Sequence, residues 1–284
     1  MKMAILIPLC LFAFYATYAS AKIGRIADFA SASYLKGEGP GGPSAKTMCI
    51  AHRGNRESFL ENSRAALLSA LEIGSDGVEF DVAHTKDGIP LIMHDLKLGE
   101  TTTSRDPNKK QKCPEKKIAK LTWKEIQAKC VLKNGEEIPT LMDFLNILDN
   151  TSVFVFIEFK DLPQYYTLQL IDQHLGQNAG RVRFTSFKKN FLDHAFSYAT
   201  DFPSFKNIRG LFNYRFFGKP KSDYGLNLRF SYGRTRRMMK AKYEQFERAV
   251  WTVDDPGNMI WSDFMQVNFI TTNRPALCLR LIRH

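Results

Sequence analysis

The stretch GVEFDVAHTKDGIPLIMHD, residues 77–95, decides the fold. Its first part, Gly77–Ala83, alternates apolar and charged residues in the manner of a β-strand. A second strand-like run, Ile89–Met93, follows after only the four residues Thr85-Lys86-Asp87-Gly88. A crossover between parallel strands needs about a dozen residues or more, so the second run must return antiparallel. We therefore predict a hairpin over Val82–Asp95 that rises from the end of a strand in a larger sheet.

Apolar β-rich runs alternate with helical patterns along the rest of the chain, which is typical of a parallel α/β fold. The sequence contains eight predicted strands: Thr47–His52, Gly77–Ala83, Val153–Lys160, Val182–Phe187, Ile208–Phe212, Leu226–Phe230, Ala249–Val253 and Asn268–Thr272. Eight strands are what a closed TIM (β/α)8 barrel needs. Leu96–Asn150, with helical patterns at Thr122–Lys129 and Thr140–Leu148, then forms a helical excursion between barrel strands two and three, after the hairpin.

The composition is that of one ordinary globular domain. The chain has 284 residues, of which 44% are hydrophobic and 24% are charged, and this excludes a disordered chain. The formal net charge of +11 favours anionic partners such as phosphates. Nucleic-acid binding is not predicted, because the lysine-rich segment Lys109–Lys120 lacks interleaved aromatic residues.

The N-terminus has the features of a signal peptide over Met1–Ala21. The apolar run Ala4–Ala16 precedes a small-x-small cleavage signal, Ala19-Ser20-Ala21. The run is too short for a membrane span of about 20 residues, although an uncleaved anchor is the alternative, and no later stretch is predicted to span a bilayer. We therefore expect a secreted protein, extracellular or periplasmic. Residues 22–46 would form an arm and a Gly/Pro-rich linker, and residues 47–284 the catalytic domain.

Four cysteines remain after cleavage, an even number that suits an oxidising compartment. Their spacing does not match a Cys-x-x-Cys zinc site. Alternation along the first strand turns Cys49 outward, and the last helix, which carries Cys278, should pack over the seam between strands eight and one. A Cys49–Cys278 bond is then possible, and a Cys113–Cys130 bond would staple the excursion. A buried free thiol at Cys49 is the alternative.

Charged residues occupy positions where core strands should be apolar. Glu79 and Asp81 share one face of the second strand, and Glu158 and Lys160 share one face of the third. Inward-facing acids at the C-terminal ends of barrel strands are typical of an active site. Three carboxylates suit a hard cation, Mg²⁺ or Ca²⁺, whereas zinc prefers more histidine or cysteine. The alternative is a structural ion-pair network in which Arg53 and Lys160 neutralise the acids.

His52 and His94 are the candidates for proton transfer. Each lies at the end of an apolar run and so at a predicted strand end. Histidine titrates near neutral pH, so a pair can supply one base and one acid. The remaining histidines lack this context and are interpreted as ordinary residues: His84, His174, His194 and His284.

An ordered set of motifs resembles the glycerophosphodiester phosphodiesterase family from about Thr47 to Pro275. The matching segments occur in the family's order: Ile50 to Gly54, Glu61-Asn62-Ser63, Gly74 to Val82, Thr85-Lys86-Asp87-Gly88, His94-Asp95, Ile138-Pro139-Thr140-Leu141, Ile157-Glu158-Phe159-Lys160, Ser186-Phe187, Val250-Trp251-Thr252-Val253 and Ile270-Thr271-Thr272-Asn273-Arg274-Pro275. Each motif alone is weak, but the ordered set is specific.

This resemblance implies a TIM barrel that hydrolyses glycerophosphodiesters to an alcohol and glycerol 3-phosphate, with a bound divalent metal, Ca²⁺ or Mg²⁺. The implied site has an acid–base pair, three metal ligands, two phosphate contacts and one wall of the glycerol pocket: His52 and His94; Glu79, Asp81 and Glu158; Arg53 and Lys160; and Trp251. The resemblance does not assign the acid and base between the two histidines.

Two segments depart from the family pattern. Asn273 stands where the family usually has an acid, and we expect it to touch no catalytic residue. The stretch Leu226–Tyr232, followed by Arg234, Arg236 and Arg237, matches poorly and leaves the rim of the pocket, and so the substrate headgroup, open.

Two rival functions stay open. One is a phospholipase-D-like lyase that acts on lysophospholipids and releases a cyclic phosphate. It needs an exposed apolar rim, which Phe212, Tyr214, Phe216 and Phe217 would form unless they are core or interface residues. The other is a non-catalytic phosphate-binding module, which would be expected to lack a catalytic histidine or a metal acid.

Overall fold

Eight parallel strands close into one barrel in the computed structural model, which describes residues 46–106, 108, 112–216, 220 and 223–282. The barrel strands in order are β1 (Met48–His52), β2 (Gly77–His84), β6 (Phe154–Phe159), β7 (Val182–Ser186), β8 (Arg209–Tyr214), β9 (Gly225–Arg229), β10 (Arg248–Trp251) and β11 (Phe269–Thr272). Each pairs with the next, and β11 pairs back to β1 with Cys49 opposite Ile270. The predicted TIM barrel is confirmed, and every predicted strand overlaps an observed one.

Some predictions lie outside the described residues. They are the signal peptide Met1–Ala21, the arm and linker before residue 46, Phe217 and His284. The domain boundaries therefore stay predictions. Among the described residues, no helix is both long enough and apolar enough to cross a membrane.

The predicted hairpin is present on the second barrel strand. Strand β3 (Pro90–Ile92) runs antiparallel to β2, with Val82 opposite Ile92. The excursion that follows contains a two-stranded sheet of β4 (Thr102–Ser104) and β5 (Cys130–Leu132). We did not predict this sheet, because strands of three residues are too short to show an alternating pattern.

Helices cover the outside of the barrel and the excursion. Their bounds are α1 (Arg64–Glu72), α2 (Trp123–Lys129), α3 (Leu141–Leu148), α4 (Tyr165–Leu175), α5 (Lys189–Ser197), α6 (Tyr232–Met238), α7 (Pro256–Phe264) and α8 (Pro275–Ile282), with 3-10 turns at Ile118–Lys120, Gly176–Arg181, Pro203–Asn207 and Ala241–Tyr243. Thr122 and Thr140 cap α2 and α3, and each forms a capping box with the acid three residues later.

The lower part of the barrel interior is a packed apolar layer. The side chains that fill it come from five strands: Ile50, Phe156, Leu211, Ala249 and Phe269. The outward-facing residues of the same strands pack against the helices in the main core. Inward-facing polar side chains of the catalytic motifs therefore lie above this layer, at the C-terminal ends of the strands, where TIM-barrel sites are built.

Both predicted disulfides are present. Cys49 on β1 is bonded to Cys278 on α8 with a Cα–Cα distance of 6.1 Å, and Cys113 is bonded to Cys130 at 4.8 Å. The alternative of a free thiol at Cys49 is therefore wrong. The first bond fastens the last helix over the seam where the barrel closes, and the second fastens the start of β5 to the segment that follows β4.

Candidate active site

Three carboxylates converge at the mouth of the barrel. Glu79 and Asp81 project from the same face of β2, and Glu158 on β6 lies directly opposite Asp81 in the strand register. One oxygen from each of the three carboxylates lies within 4.8 Å of the other two. Glu79 and Asp81 are buried. Such a set of carboxylate oxygens fits a hard divalent cation.

The surroundings of Glu79 disfavour a negative charge on its carboxylate. Burial, followed by repulsion from Asp81 and Glu158, raises the pKa of Glu79 well above its ordinary value. Burial also raises the pKa of Glu158, and the charge of Asp81 adds to the effect. Burial opposes ionisation of Asp81 as well, but Arg53 and Lys160 outweigh it, so the pKa of Asp81 lies below its ordinary value.

Two basic side chains, those of Lys160 and Arg53, contact the carboxylates. Lys160 Nζ is 2.7 Å from Glu158 Oε1 and 3.5 Å from Asp81 Oδ1. Arg53 Nε is 3.2 Å from Asp81 Oδ2, whereas only the backbone N–H of Arg53 donates to Glu79 Oε2, at 3.0 Å. The ion-pair alternative thus accounts for Asp81 and Glu158 but leaves Glu79 without a lysine or arginine side-chain partner among the described residues.

The turn after β1 sets the position of Arg53. Arg53 has φ of 57° and Gly54 has φ of 84°, both in the left-handed region. A Cβ at Gly54 would lie 2.6 Å from the backbone carbon of Ala66, so only glycine fits there. This turn points the Arg53 N–H at Glu79 and its side chain at Asp81 and Glu61, whose Oε1 accepts from NH1 at 2.7 Å.

His52 is held in one tautomer by Asn273. The Asn273 amide nitrogen donates to Asp254 Oδ2 at 2.7 Å, so its Oδ1 faces His52 Nδ1, at 2.7 Å. An amide oxygen only accepts, and Nδ1 therefore carries the proton. Nε2 is left as the open nitrogen, 4.0 Å from Glu79 Oε2. Burial, then the charge of Arg53, lowers the pKa of His52 to about 4.

This contact corrects our expectation that Asn273 would touch no catalytic residue. Strand β11 ends one residue before Asn273, beside the end of β1, so the two side chains meet although they are 221 residues apart. The predicted barrel already placed the last strand beside the first, but the residue that follows the last strand was not examined as a neighbour of His52.

His94 has a different environment. It follows β3, and its Nδ1 lies 2.8 Å from Asp95 Oδ1. About a third of its side chain is exposed, compared with 12% for His52. A carboxylate oxygen faces Nδ1 of His94, whereas an amide oxygen faces Nδ1 of His52. The two histidines therefore differ in the partner that supports them.

One cavity of about 350 Å³ brings together the predicted site residues. Its lining includes seven of the eight, namely His52, Arg53, Glu79, His94, Glu158, Lys160 and Trp251. Asp81 lies behind this lining and is only 1% exposed. Trp251 closes one side, with its Nε1–H donating to the Asn227 carbonyl oxygen at 3.2 Å and its ring edge-on to Phe187.

Several polar residues of the site were missed at the sequence level. Asn62 donates to Asp81 Oδ2 at 2.9 Å, and Asn213 donates to Glu158 Oε2 at 3.0 Å. Asn227 continues the chain of contacts by donating to Asn213 Oδ1 at 2.8 Å. The available signal was a single asparagine inside an otherwise apolar strand, at Asn213 on β8 and at Asn227 on β9. Arg215 and Arg229, which also line the cavity, were missed too.

Two of the four aromatic residues considered for an apolar rim are core residues. Phe212 and Tyr214 are buried in the main core, because alternation on β8 turns them outward beneath the helices. Phe216 is 79% exposed and remains available at the mouth. His84, interpreted as ordinary, is buried outside this cavity, where its ring nitrogens contact Asp161 and Thr167.

Comparison with known proteins agrees with this architecture. The profile of the glycerophosphoryl diester phosphodiesterase family matches residues 52–277. A glycerophosphodiester phosphodiesterase of Caldanaerobacter subterraneus subsp. tengcongensis is 38% identical over 117 residues, which are 40% of this chain and 46% of that protein. Glycerophosphodiester phosphodiesterase 1 of Homo sapiens is 32% identical over 166 residues, which are 50% and 47% of the two chains. The chain thus spans about half the length of the curated relatives it matches.

Solved structures share the fold over nearly their whole length. The phosphodiesterase of Oleispira antarctica, whose structure holds sn-glycerol-3-phosphate, has a TM-score of 0.68 at 21% identity. The match covers 84% of this chain and 98% of that one. Because the family profile covers most of the chain and includes every predicted site residue, the chain belongs to the glycerophosphoryl diester phosphodiesterase family.

Proposed function

We propose that this protein is a phosphoric diester hydrolase that cleaves glycerophosphodiesters to an alcohol and glycerol 3-phosphate. The observation that carries the proposal is the cavity lined by Glu79, Glu158, two histidines and two basic side chains, with the third carboxylate, Asp81, directly behind the lining. Family membership and the names of the relatives support the substrate class. So does the glycerol 3-phosphate held by the Oleispira antarctica structure.

We propose that Glu79, Asp81 and Glu158 hold one divalent cation, Ca²⁺ or Mg²⁺. Among the described residues Glu79 has no lysine or arginine side-chain partner, and this, together with the all-oxygen donor set, supports the assignment. A bound cation would supply positive charge for the phosphate oxygens. Arg53 and Lys160 lie beside the same acids, and their donors would orient the phosphate and offset the charge that develops during the reaction.

We assign the base to His52 and the acid to His94 from their hydrogen bonds. The Asn273 oxygen keeps the proton of His52 on Nδ1, so Nε2 offers a lone pair to the cavity. Asp95 accepts from Nδ1–H of His94 and orients the ring, so that a proton on Nε2 would be available to the leaving alcohol. The nucleophile that loses its proton to His52 is water, which gives glycerol 3-phosphate directly, or the glycerol hydroxyl of the substrate. Attack by that hydroxyl would expel the alcohol and form a cyclic phosphate, which water would then have to open to give glycerol 3-phosphate.

The geometry favours small diesters over the rival substrates. A lysophospholipid would need an apolar rim, and burial of Phe212 and Tyr214 removes half of the residues proposed for it. A non-catalytic phosphate-binding module would not need two histidines and three carboxylates kept together at one cavity.

We also propose that the protein acts outside the cytoplasm, since its two disulfides suit an oxidising compartment.

The test is product analysis with purified protein. Glycerophosphocholine, glycerophosphoethanolamine, glycerophosphoinositol and a lysophospholipid would be incubated with Ca²⁺, with Mg²⁺ or with EDTA, and the phosphate products identified. We expect glycerol 3-phosphate from the diesters and no turnover in EDTA or with Glu158→Gln. Cyclic phosphate released mainly from the lysophospholipid would favour the lyase instead. Equal turnover in EDTA would refute the metal assignment.

A further inference from the structure

Two arginines line the wall of the cavity opposite the acids. Tyr214 on β8 is paired with Leu228 on β9, so Arg215 and Arg229 follow at the same level on neighbouring strands. Both side chains line the cavity, two residues above Asn213 and Asn227 on the same inward face. Trp251 on β10 is paired in register with Arg229 on β9 and so lies at the same level of the barrel.

Neither arginine is neutralised by a neighbour. The inner cations, Arg53 and Lys160, lie within 3.5 Å of carboxylate oxygens. In the part of the chain that the structure describes, Arg215 and Arg229 form no ion pair, and the acids that line the cavity, Glu79 and Glu158, belong to the opposite wall. Arg53 and Lys160, near the histidines, already supply positive charge for the phosphodiester group of the substrate. The positive charge of Arg215 and Arg229 at the rim is therefore additional to what that group requires.

The position of Arg215 is fixed by its neighbours. Its guanidinium lies over the Phe187 ring, 5.1 Å from the centroid, and Phe187 packs edge-on against Trp251. The guanidinium of Arg234 donates to the Arg215 carbonyl oxygen and covers the exposed Phe216 ring. Arg234 belongs to the arginine-rich segment that matches the family poorly. This segment therefore has a structural role in this chain, because Arg234 holds the backbone of the cavity rim at Arg215.

We propose that Arg215 and Arg229 form an anion subsite that selects glycerophosphodiesters whose alcohol carries a second phosphate group. Guanidinium groups bind phosphate oxygens in bidentate geometry, and two of them side by side on one wall suit a phosphate monoester. The same wall repels cationic alcohols such as choline and ethanolamine. The inference rests on the proposed function, because it assigns the headgroup end of the same cavity.

The test compares three diesters that differ in headgroup charge: glycerophosphoglycerol, its terminal phosphate monoester and glycerophosphocholine. We expect the wild-type protein to prefer the phosphorylated diester through a lower KM at similar kcat, with the preference shrinking as salt is added. In the variant with Arg215→Gln and Arg229→Gln, KM for the phosphorylated diester should rise about tenfold for each lost charge-assisted contact. KM for glycerophosphoglycerol should change little, because its neutral alcohol does not engage the rim.

A matched control removes the same charge nearby. Arg236 and Arg237 are exposed on α6 and do not line the cavity, so Arg236→Gln with Arg237→Gln should leave all three KM values unchanged. Arg229→Glu should go further and favour glycerophosphocholine over the phosphorylated diester. Melting curves would show that each variant is folded.

The outcomes separate the two proposals. If the wild-type protein cleaves none of the three diesters, the proposed function fails. If it cleaves them without regard to headgroup charge, or if the rim and control variants behave alike, only the anion subsite is refuted.

Discussion

Replacing Glu79 by glutamine should abolish turnover and yet stabilise the metal-free protein. Glutamine keeps the size of the side chain and can still accept the Arg53 N–H, but it removes one of three clustered negative charges. Two unit charges 4.8 Å apart, the upper limit for these oxygens, repel by about 3.5 kcal/mol at an effective dielectric constant of about 20. Glu79 faces two such neighbours.

The measured gain should be smaller than this repulsion. Its raised pKa means that metal-free Glu79 can relieve the repulsion by binding a proton, and Arg53 and Lys160 screen the acids. We therefore expect Glu79→Gln to raise the free energy of unfolding in EDTA by about 1–3 kcal/mol near neutral pH, or to raise Tm by about 3–8 °C. The advantage should shrink as pH falls towards the ordinary glutamate pKa, because the proton that folded Glu79 binds at its raised pKa is then bound in the unfolded chain as well.

Thermal unfolding with EDTA and with added Ca²⁺ or Mg²⁺ is the assay. The wild-type protein should gain about 2.7 kcal/mol at a metal concentration of 100 times Kd, and Glu79→Gln should gain far less. Glu247→Gln is the matched control, because Glu247 is a partly buried acid whose side chain is ion-paired with Arg183 away from the active-site cavity. That variant should lose stability and keep its metal response. If Glu79→Gln is destabilised in EDTA and responds to metal like the wild type, the acids are structural and the metal assignment is wrong.

Three further predictions concern proton transfer, positioning and cross-linking. His52→Ala and His94→Ala should each lower kcat about 10²- to 10⁴-fold, and only His94→Ala should recover on a glycerophosphodiester with a p-nitrophenol leaving group, whose departure needs no proton; recovery by His52→Ala instead would reverse our assignment. Asn273→Leu should lower kcat about tenfold or more at nearly constant KM, since a buried tautomer-fixing hydrogen bond of about 1.5 kcal/mol is lost, and an unchanged pH–rate profile and kcat would exclude a positioning role. Replacing Cys49 and Cys278 by serine should lower the free energy of unfolding by about 3–5 kcal/mol in urea titrations, as expected for a bond that closes a loop of 229 residues, whereas an unchanged midpoint would show that the bond contributes nothing.

Most of the barrel could be predicted because residues that face inward and residues that face outward alternate along its strands. Val78-Glu79-Phe80-Asp81-Val82 shows by alternation which side chains face inward, and the four-residue turn before Ile89 leaves no room for a parallel crossover. The helical patterns predicted from Thr122 and from Thr140 begin at the observed N-caps of α2 and α3, whose capping boxes involve residues only three positions apart.

The missed parts of the site depend on contacts between residues that are distant in the sequence. Asn273 meets His52 only because β11 closes the barrel against β1, and no local pattern encodes that contact. The predicted fifth strand ends at Phe212, whereas the observed β8 continues to Tyr214, so Arg215 lay outside the segment to which alternation was applied. Phe212 and Tyr214 failed as rim candidates for a different reason: they were selected for aromatic character alone, and alternation on β8 turns both into the core.

The bond between Cys49 and Cys278 also determines how the protein responds to mechanical force. It joins the first barrel strand to the last helix and encloses nearly the whole barrel, since the two residues are 229 positions apart. A pull applied at the two ends of the chain would pass through the sulfur–sulfur bond and leave the barrel unloaded. Reduction under tension would release the enclosed segment, which when fully extended spans roughly 3.3–3.6 Å per residue, or about 800 Å in all. The barrel would therefore bear tension only after a thiol had opened that bond.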